Sequence, residues 1–153
     1  MRFNVPSEIV SVCAVLAARG HQSFVVGGAP RDLLLGRPVH DWDVATSALP
    51  EEVQETFPRT IPTGIKHGTV TVMCASGGIE VTTFSTDKGG SDGRHPDGVA
   101  FVKTAAEDLS RRDFTMNAIA LDPATGEMVD PFGGLADVQA GVREPREGVR
   151  TRV

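Results

Sequence analysis

A single α+β domain is what this sequence predicts, on three observations. Its 153 residues suffice for one compact core that buries about two-thirds of the unfolded chain's surface. Thr69 to Cys74 and Ile79 to Thr83 are β-rich runs flanking Ala75-Ser76-Gly77-Gly78, the pattern of an antiparallel hairpin with a glycine-containing turn. Ser23 to Val26 is a short β-branched and aromatic run that ends at Gly27-Gly28, and Pro30 then opens a short helix through Leu35. That is a strand, glycine turn, helix unit.

The remaining elements follow in chain order. Ser7 can cap a helix to Arg19, with Ile9, Val12, Cys13 and Leu16 on one face and Gly20 ending it. Asp41 to Ala45 reads as a second strand. Pro50-Glu51-Glu52 places a proline and two acids where a helix N-terminus accepts them, and that helix stops near Pro58. Ser85 to Gly98 carries four glycines and a proline, the composition of an exposed, mobile loop. A helix through Glu107 to Leu109 and another from Phe114 onward come next, then a turn at Thr125-Gly126, a short strand at Met128-Val129 and a helical turn from Leu135 to Ala140. The tail from Val142 to Val153 has four arginines and little apolar content and reads as frayed. No internal repeat breaks the chain into smaller units.

Composition excludes several classes. Hydrophobic residues make up 40% and charged residues 23%, and no apolar run approaches the roughly 18 residues of a membrane span. Met1 to Pro6 lacks the basic start and apolar core of a signal peptide, which gives a cytoplasmic expectation. Cys13 and Cys74 form neither metal spacing nor a disulfide framework, and both read as small buried apolar residues. A net charge of -5 argues against a whole surface that grips nucleic acid. RNA contact would need a local patch such as Arg111 and Arg112, or surface supplied from elsewhere.

The strongest chemical signal is Asp41-Trp42-Asp43. In a strand both carboxylates point to one face, and neighbouring like charges are relieved by a hard cation such as Mg²⁺ or Mn²⁺. An isolated pair of this kind is more often a solvated strand edge or turn. Here it follows by thirteen residues a Gly27-Gly28 turn whose backbone N–H groups and following helix offer an anion site, with Arg31 on that helix. A phosphate cradle followed by a metal-binding pair is what phosphoryl or nucleotidyl transfer requires. Glu80, on the hairpin's second strand, is either a third carboxylate for the metal site or an exposed strand residue opposite a cation. Arg111-Arg112-Asp113 opens an apolar helix with Asn117 on the same helical face. Arginine forks match phosphate, and Asp or Asn matches ribose hydroxyls, although on its own the group reads as a solvated helix start. The four histidines, His21, His40, His67 and His95, show no metal-ligand spacing. Trp42 alternates with the acids and is expected to face the core.

Taken together, Val26-Gly27-Gly28-Ala29-Pro30-Arg31-Asp32-Leu33-Leu34-Leu35-Gly36 and Asp41-Trp42-Asp43-Val44-Ala45-Thr46 resemble the motif of the class II tRNA nucleotidyltransferase and bacterial poly(A) polymerase family, within the polymerase-β-like superfamily. The likeness continues in order through Gly64 to Val70, Glu80 to Phe84, Asp92 to Pro96, Glu107 to Ala118 and Asp130 to Gly134. It spans roughly Phe24 to Val142.

The resemblance implies a polymerase-β-like nucleotidyltransferase fold with a mixed, mainly antiparallel five-stranded sheet backed by helices. It assigns residues 1–142 to a catalytic head and 143–153 to a disordered or truncated tail, without the neck, body and tail domains that hold tRNA. Asp41 and Asp43 would hold metal ions, with Glu80 as third catalytic carboxylate. Gly27, Gly28 and Arg31 would contact the triphosphate, Arg112 and Asp113 the nucleotide and its ribose, and Asn117 the phosphates or the site's packing. Ser85 to Gly98 resembles the loop involved in switching from CTP to ATP. The implied reaction is Mg²⁺-dependent addition of CMP or AMP from CTP or ATP to the 3′ end of tRNA or another RNA, with release of pyrophosphate. Because head motifs are shared, CCA, CC, A and poly(A) addition all stay open. Two other readings stand beside it: a nucleotide-binding head that is idle without a partner chain supplying RNA-binding domains, and transfer to a non-RNA acceptor. Pro30 departs from the apolar residue usual in the family, a modest change since its φ suits a helix start.

Overall fold

The computed structural model describes residues 5–86, 100–109, 118–131, 133–134, 142–143 and 151–152. Helix α1, Ser7–Ala18, begins one residue earlier than a Ser7 cap would place it. Pro6 occupies the N-cap position and no side chain caps the helix. The expected apolar face is correct: Ile9, Val12, Cys13 and Leu16 are all buried. Strand β1, Ser23–Val26, leads into α2, Gly28–Leu34, which starts two residues before Pro30. Strand β2 covers Asp43–Thr46, so Asp41 and Trp42 lie in the segment entering the strand rather than within it. Helix α3, Pro50–Thr56, stops before Pro58 as expected. The Leu49 N–H donates to the Glu52 carboxylate at 2.8 Å, which satisfies one of the helix-start N–H groups.

Strand β3, Thr60–Gly64, and a 3₁₀ turn at Ile65–His67 were not visible in the sequence pattern. They lead to β4, Thr69–Cys74, and β5, Gly77–Thr83. The hairpin turn is only Ala75-Ser76, because Gly77 and Gly78 pair with Cys74 and Met73. Short strands follow: β6 at Ser85–Thr86 pairs with β7 at Ala100–Phe101. Helix α4 is Ala105–Leu109, and β8, Ala120–Leu121, pairs with β9, Met128–Val129. Beyond them, Val142–Arg143 pairs antiparallel with Thr151–Arg152, two short strands in the segment that the sequence pattern leaves frayed.

The central sheet has seven strands in the order β3-β4-β5-β2-β1-β8-β9, not five. The two extra strands are the short or irregular ones, β3 and β8, whose sequences lack period-two alternation. Pairing is antiparallel except between β2 and β5. Parallel neighbours need a long crossover connection, and here it contains α3, β3 and β4. The sheet's alternation divides two cores. One face packs Val25, Val44, Val70, Val72, Ile79, Val81 and Leu121 against Ile9, Val12, Cys13 and Leu16 of α1, Ala29 of α2 and Val53 of α3. The opposite face is covered in part by a smaller cluster of Val26, Ala45, Phe84, Ala105, Leu109, Ala118 and Ala120. That cover leaves β5 and β4 open. Among the described residues no helix is long and apolar enough to cross a membrane.

Candidate active site

The open half of the sheet holds the site. Val26 is the register partner of Asp43 across β1 and β2, and Asp43 is the partner of Glu80 across the parallel pair β2 and β5. Glu80 in turn faces Thr71 on β4. Neighbouring strands lie about 4.8 Å apart, and register partners share a face. Asp43, Glu80 and Thr71 therefore form one row across three strands. Glu80 is exposed and its register partners are an acid and a hydroxyl, not the cation that the bland reading placed opposite it. Asp41 is exposed and Asp43 half-buried, and both line the same cavity as Glu80.

The glycine turn abuts this row from the β1 side. Gly27 has φ +79°, a conformation that a side chain rarely adopts, and a Cβ there would stand 3.2 Å from Oδ2 of Asp43. A Cβ at Gly28 would fall 2.8 Å from a terminal guanidinium nitrogen of Arg31, so the guanidinium folds back over the turn. Its Nε donates to Asp32 at 3.1 Å, holding the arginine in place. Helix α2 has seven residues, too short for much of a helix dipole, so the positive charge at this turn is carried mainly by Arg31.

A cavity of about 640 Å³ lies on the other side of Asp43. Its walls include Asp41, Asp43, Thr71, Gly78 and Glu80, and it reaches the start of α1. There Glu8 accepts hydrogen bonds from the backbone N–H of Ser76, at 3.3 Å, and from the Ser76 hydroxyl. This contact ties α1 to the hairpin turn. Trp42 packs against the larger core while also lining the cavity.

Of the residues the sequence singled out, the structure brings together Gly27, Gly28, Arg31, Asp41, Asp43 and Glu80. Arg112, Asp113 and Asn117 fall outside the described residues, as do Arg111, His95, most of the glycine-rich segment and the helices expected from Phe114 and Leu135. Thr71 was missed, although the hairpin register already places it opposite Glu80 once a two-residue turn is recognised. Buried Asp108 was missed too: its carboxylate accepts the Ser85 N–H at 2.9 Å. Cys13 is buried as expected, but Cys74 is only half-buried.

Metal chemistry can be tested against this donor set. Among the described residues no group of three His, Cys, Asp or Glu side chains converges to hold an ion by itself. Mg²⁺ is commonly bound by one or two carboxylates with substrate phosphates and water completing the shell. Asp41 and Asp43, beside a side-chain-free turn with an arginine over it, fit that mode.

The sheet order and the acid row define the polymerase-β-like nucleotidyltransferase class of fold. The chain belongs to the poly A polymerase head domain family, whose model matches residues 23–143. It is 50% identical over 142 residues to the CCA-adding enzyme of Lactiplantibacillus plantarum, covering 91% of this chain and 35% of that protein. To the CCA-adding enzyme of Geobacillus stearothermophilus it is 50% identical over 146 residues, or 95% and 33% of the two chains. Among solved structures, the Bacillus stearothermophilus CCA-adding enzyme in complex with CTP matches with TM-score 0.81 at 48% identity, covering 92% of this chain and 33% of that one. The Thermotoga maritima CCA-adding enzyme complexed with tRNA matches with TM-score 0.72 at 27% identity, covering 93% and 33%. The chain thus spans about a third of the length of the relatives it matches.

Proposed function

We propose that this chain is the catalytic head of a cytoplasmic, template-independent RNA nucleotidyltransferase. It transfers CMP or AMP from CTP or ATP to the 3′ end of tRNA. The observation that carries the reading is Asp43, in register with Glu80 on one flank and against the Gly27 turn on the other. Likeness to CCA-adding enzymes whose structures hold CTP or tRNA supports the choice of substrates. CCA-adding enzymes generally use a divalent metal, and Mg²⁺ is the ion proposed here. Bound at Asp41 and Asp43, it would supply charge neutralisation at the α-phosphate and lower the pKa of a coordinated hydroxyl.

The chain's own residues would do the rest. Gly27 and Gly28 let the triphosphate approach the backbone, and Arg31 neutralises its charge. Transfer forms a bond from the RNA 3′-oxygen to the α-phosphorus and breaks the bond from that phosphorus to the bridging oxygen, releasing pyrophosphate. Glu80, next to Asp43, accepts the hydroxyl proton directly or through water. Arg112 and Asp113 would contact the base and ribose, and Asn117 the phosphates. RNA grip beyond the terminal nucleotides is assigned to surface outside this span, supplied in the same polypeptide or by a partner chain, since the net charge of -5 disfavours a broad phosphate-binding face.

The test is incorporation of labelled CTP or ATP, with Mg²⁺, into tRNA lacking its 3′ terminus, by the wild type and by Asp43→Ala. Extension by the wild type that the substitution abolishes is the expected result, and the product identifies the nucleotide added. Equal incorporation by the variant, or no metal-dependent nucleotide binding by the wild type, would overturn the assignment.

A further inference from the structure

Asp43 separates two unlike spaces. On its β1 side stand Gly27, Gly28 and Arg31, with no side chain at either glycine and a guanidinium folded over the turn. On its β5 side lies the 640 Å³ cavity, of which Asp43, Glu80, Thr71 and Gly78 form walls while Gly27, Gly28 and Arg31 do not. Displacement at phosphorus runs in line, with the attacking and leaving oxygens on opposite sides. Triphosphate on the glycine side therefore puts the attacking hydroxyl on the cavity side.

The cavity's chemistry says what can sit there. Glu8, Asp41, Asp43 and Glu80 all line it, a set of acceptors that repels phosphate and favours hydroxyl donors. Thr71 stands next to Glu80 in the register, and its hydroxyl is 2.8 Å from that of Thr63 on the edge strand β3. Gly78 shares a face with Glu80 two residues on, and a Cβ there would lie only 2.5 Å from Cγ2 of Thr71. The absence of a side chain thus keeps the floor beside Thr71 open. Volumes of about 300–1,000 Å³ are typical of sites for small ligands, and a terminal nucleoside is of that class.

We infer that this cavity seats the 3′-terminal ribose of the acceptor RNA, with the Thr71 hydroxyl, backed by Thr63, hydrogen-bonded to the vicinal 2′,3′-diol beside Glu80. The inference rests on the nucleotidyltransferase reading. Thr71 is here a positioning residue that recognises the 2′-hydroxyl, the group by which a protein tells RNA from DNA, and Gly78 keeps its place clear.

The 16.2 kDa chain is small enough for threonine-methyl NMR titration, which detects weak binding without turnover. The probes are CTP with Mg²⁺, a short single-stranded RNA ending in a free diol, and the same strand ending in a 2′-deoxy sugar. CTP is expected to shift the Gly27 and Gly28 amides, and the RNA to shift the Thr71 and Thr63 methyls. The 2′-deoxy strand should bind about three- to tenfold more weakly, the loss expected for one hydrogen bond. Thr71→Val should erase that discrimination and leave CTP affinity unchanged. If CTP shifts the glycines while millimolar RNA leaves Thr71 unmoved, or if CTP itself moves Thr71, the acceptor assignment is wrong and the nucleotidyltransferase reading survives. If CTP binds nowhere, both fall. Equal diol discrimination by wild type and Thr71→Val would remove Thr71 from the role.

Discussion

The two faces of β2, β5 and β4 come from one alternating pattern and could hardly be more different. On one face Val44, Val81 and Val70 are completely buried beneath α1 and α3. On the other, one residue out of step, Asp43, Glu80 and Thr71 form a polar row open to a cavity. A strand whose faces are interchanged by a single-residue slip is held in register by the packed face, and that register places the catalytic row. The acids add charge repulsion, not packing. Stability and chemistry therefore depend on separate residues of the same strands, and substitutions should separate them.

Asp43→Asn should give the largest effect and tests the open face. Removing one charge from a site built to stabilise transferred phosphate costs about 10²–10³ in rate, and incorporation into tRNA measures it. The melting temperature should move far less than in a core variant. A comparable loss of both would mean that Asp43 holds the fold. Leu16→Ala probes the packed face. Leu16 is fully buried, so unfolding free energy should fall by about 2–5 kcal/mol, read from denaturant midpoints, while nucleotide affinity of the folded fraction is unchanged. Gly27→Ala sits where the two meet. A side chain at φ +79° costs about 1–2 kcal/mol, and its Cβ would crowd Asp43. Both melting temperature and CTP affinity should fall, and a loss of stability alone would show that the turn is structural only.

How much of this was legible in the sequence follows the same division. The α1 face, β1, α3 and the hairpin strands declare themselves because periodicity reports burial. Strand β3 does not: Thr60-Ile61-Pro62-Thr63-Gly64 carries a proline and a glycine and lies at the sheet edge, where pairing with β4 rather than propensity makes it a strand. Strand β8 is two residues long and is defined by pairing with β1 and β9. The acid pair and glycine turn were readable as residue types at a spacing. Their juxtaposition was not, since the parallel pairing of β2 with β5 arises from a connection of some thirty residues that no local pattern encodes. Asp41 shows the limit from the other side. Strand alternation was the reason to put both carboxylates on one face, yet β2 starts at Asp43, and Asp41 reaches the cavity from the segment before it.

The smallest effect expected is in the thiols, and it sharpens the contrast between packed and open surroundings. Burial is the main cause that pushes the Cys13 thiol above its ordinary value of 9.0, with Asp122 adding to it and a hydrogen bond with Ser23 opposing it. Cys74 is also raised, first by burial and then by the Glu8 carboxylate. A group whose folded pKa exceeds its unfolded one binds its proton more tightly when folded. Its contribution to stability is therefore complete below pH 9 and is lost as pH rises through the folded value. Thiolate, not thiol, reacts with disulfide reagents. Cys74 should label slowly in the native state with an alkaline limb above pH 9, and Glu8→Gln should move that limb to lower pH by removing a negative charge. Cys13 should label only at the rate of global or local unfolding, whatever the pH. Labelling of Cys13 as fast as Cys74 would mean that α1 does not seal its face of the sheet, and the packed face would then lose its claim to hold the register of Asp43 and Glu80.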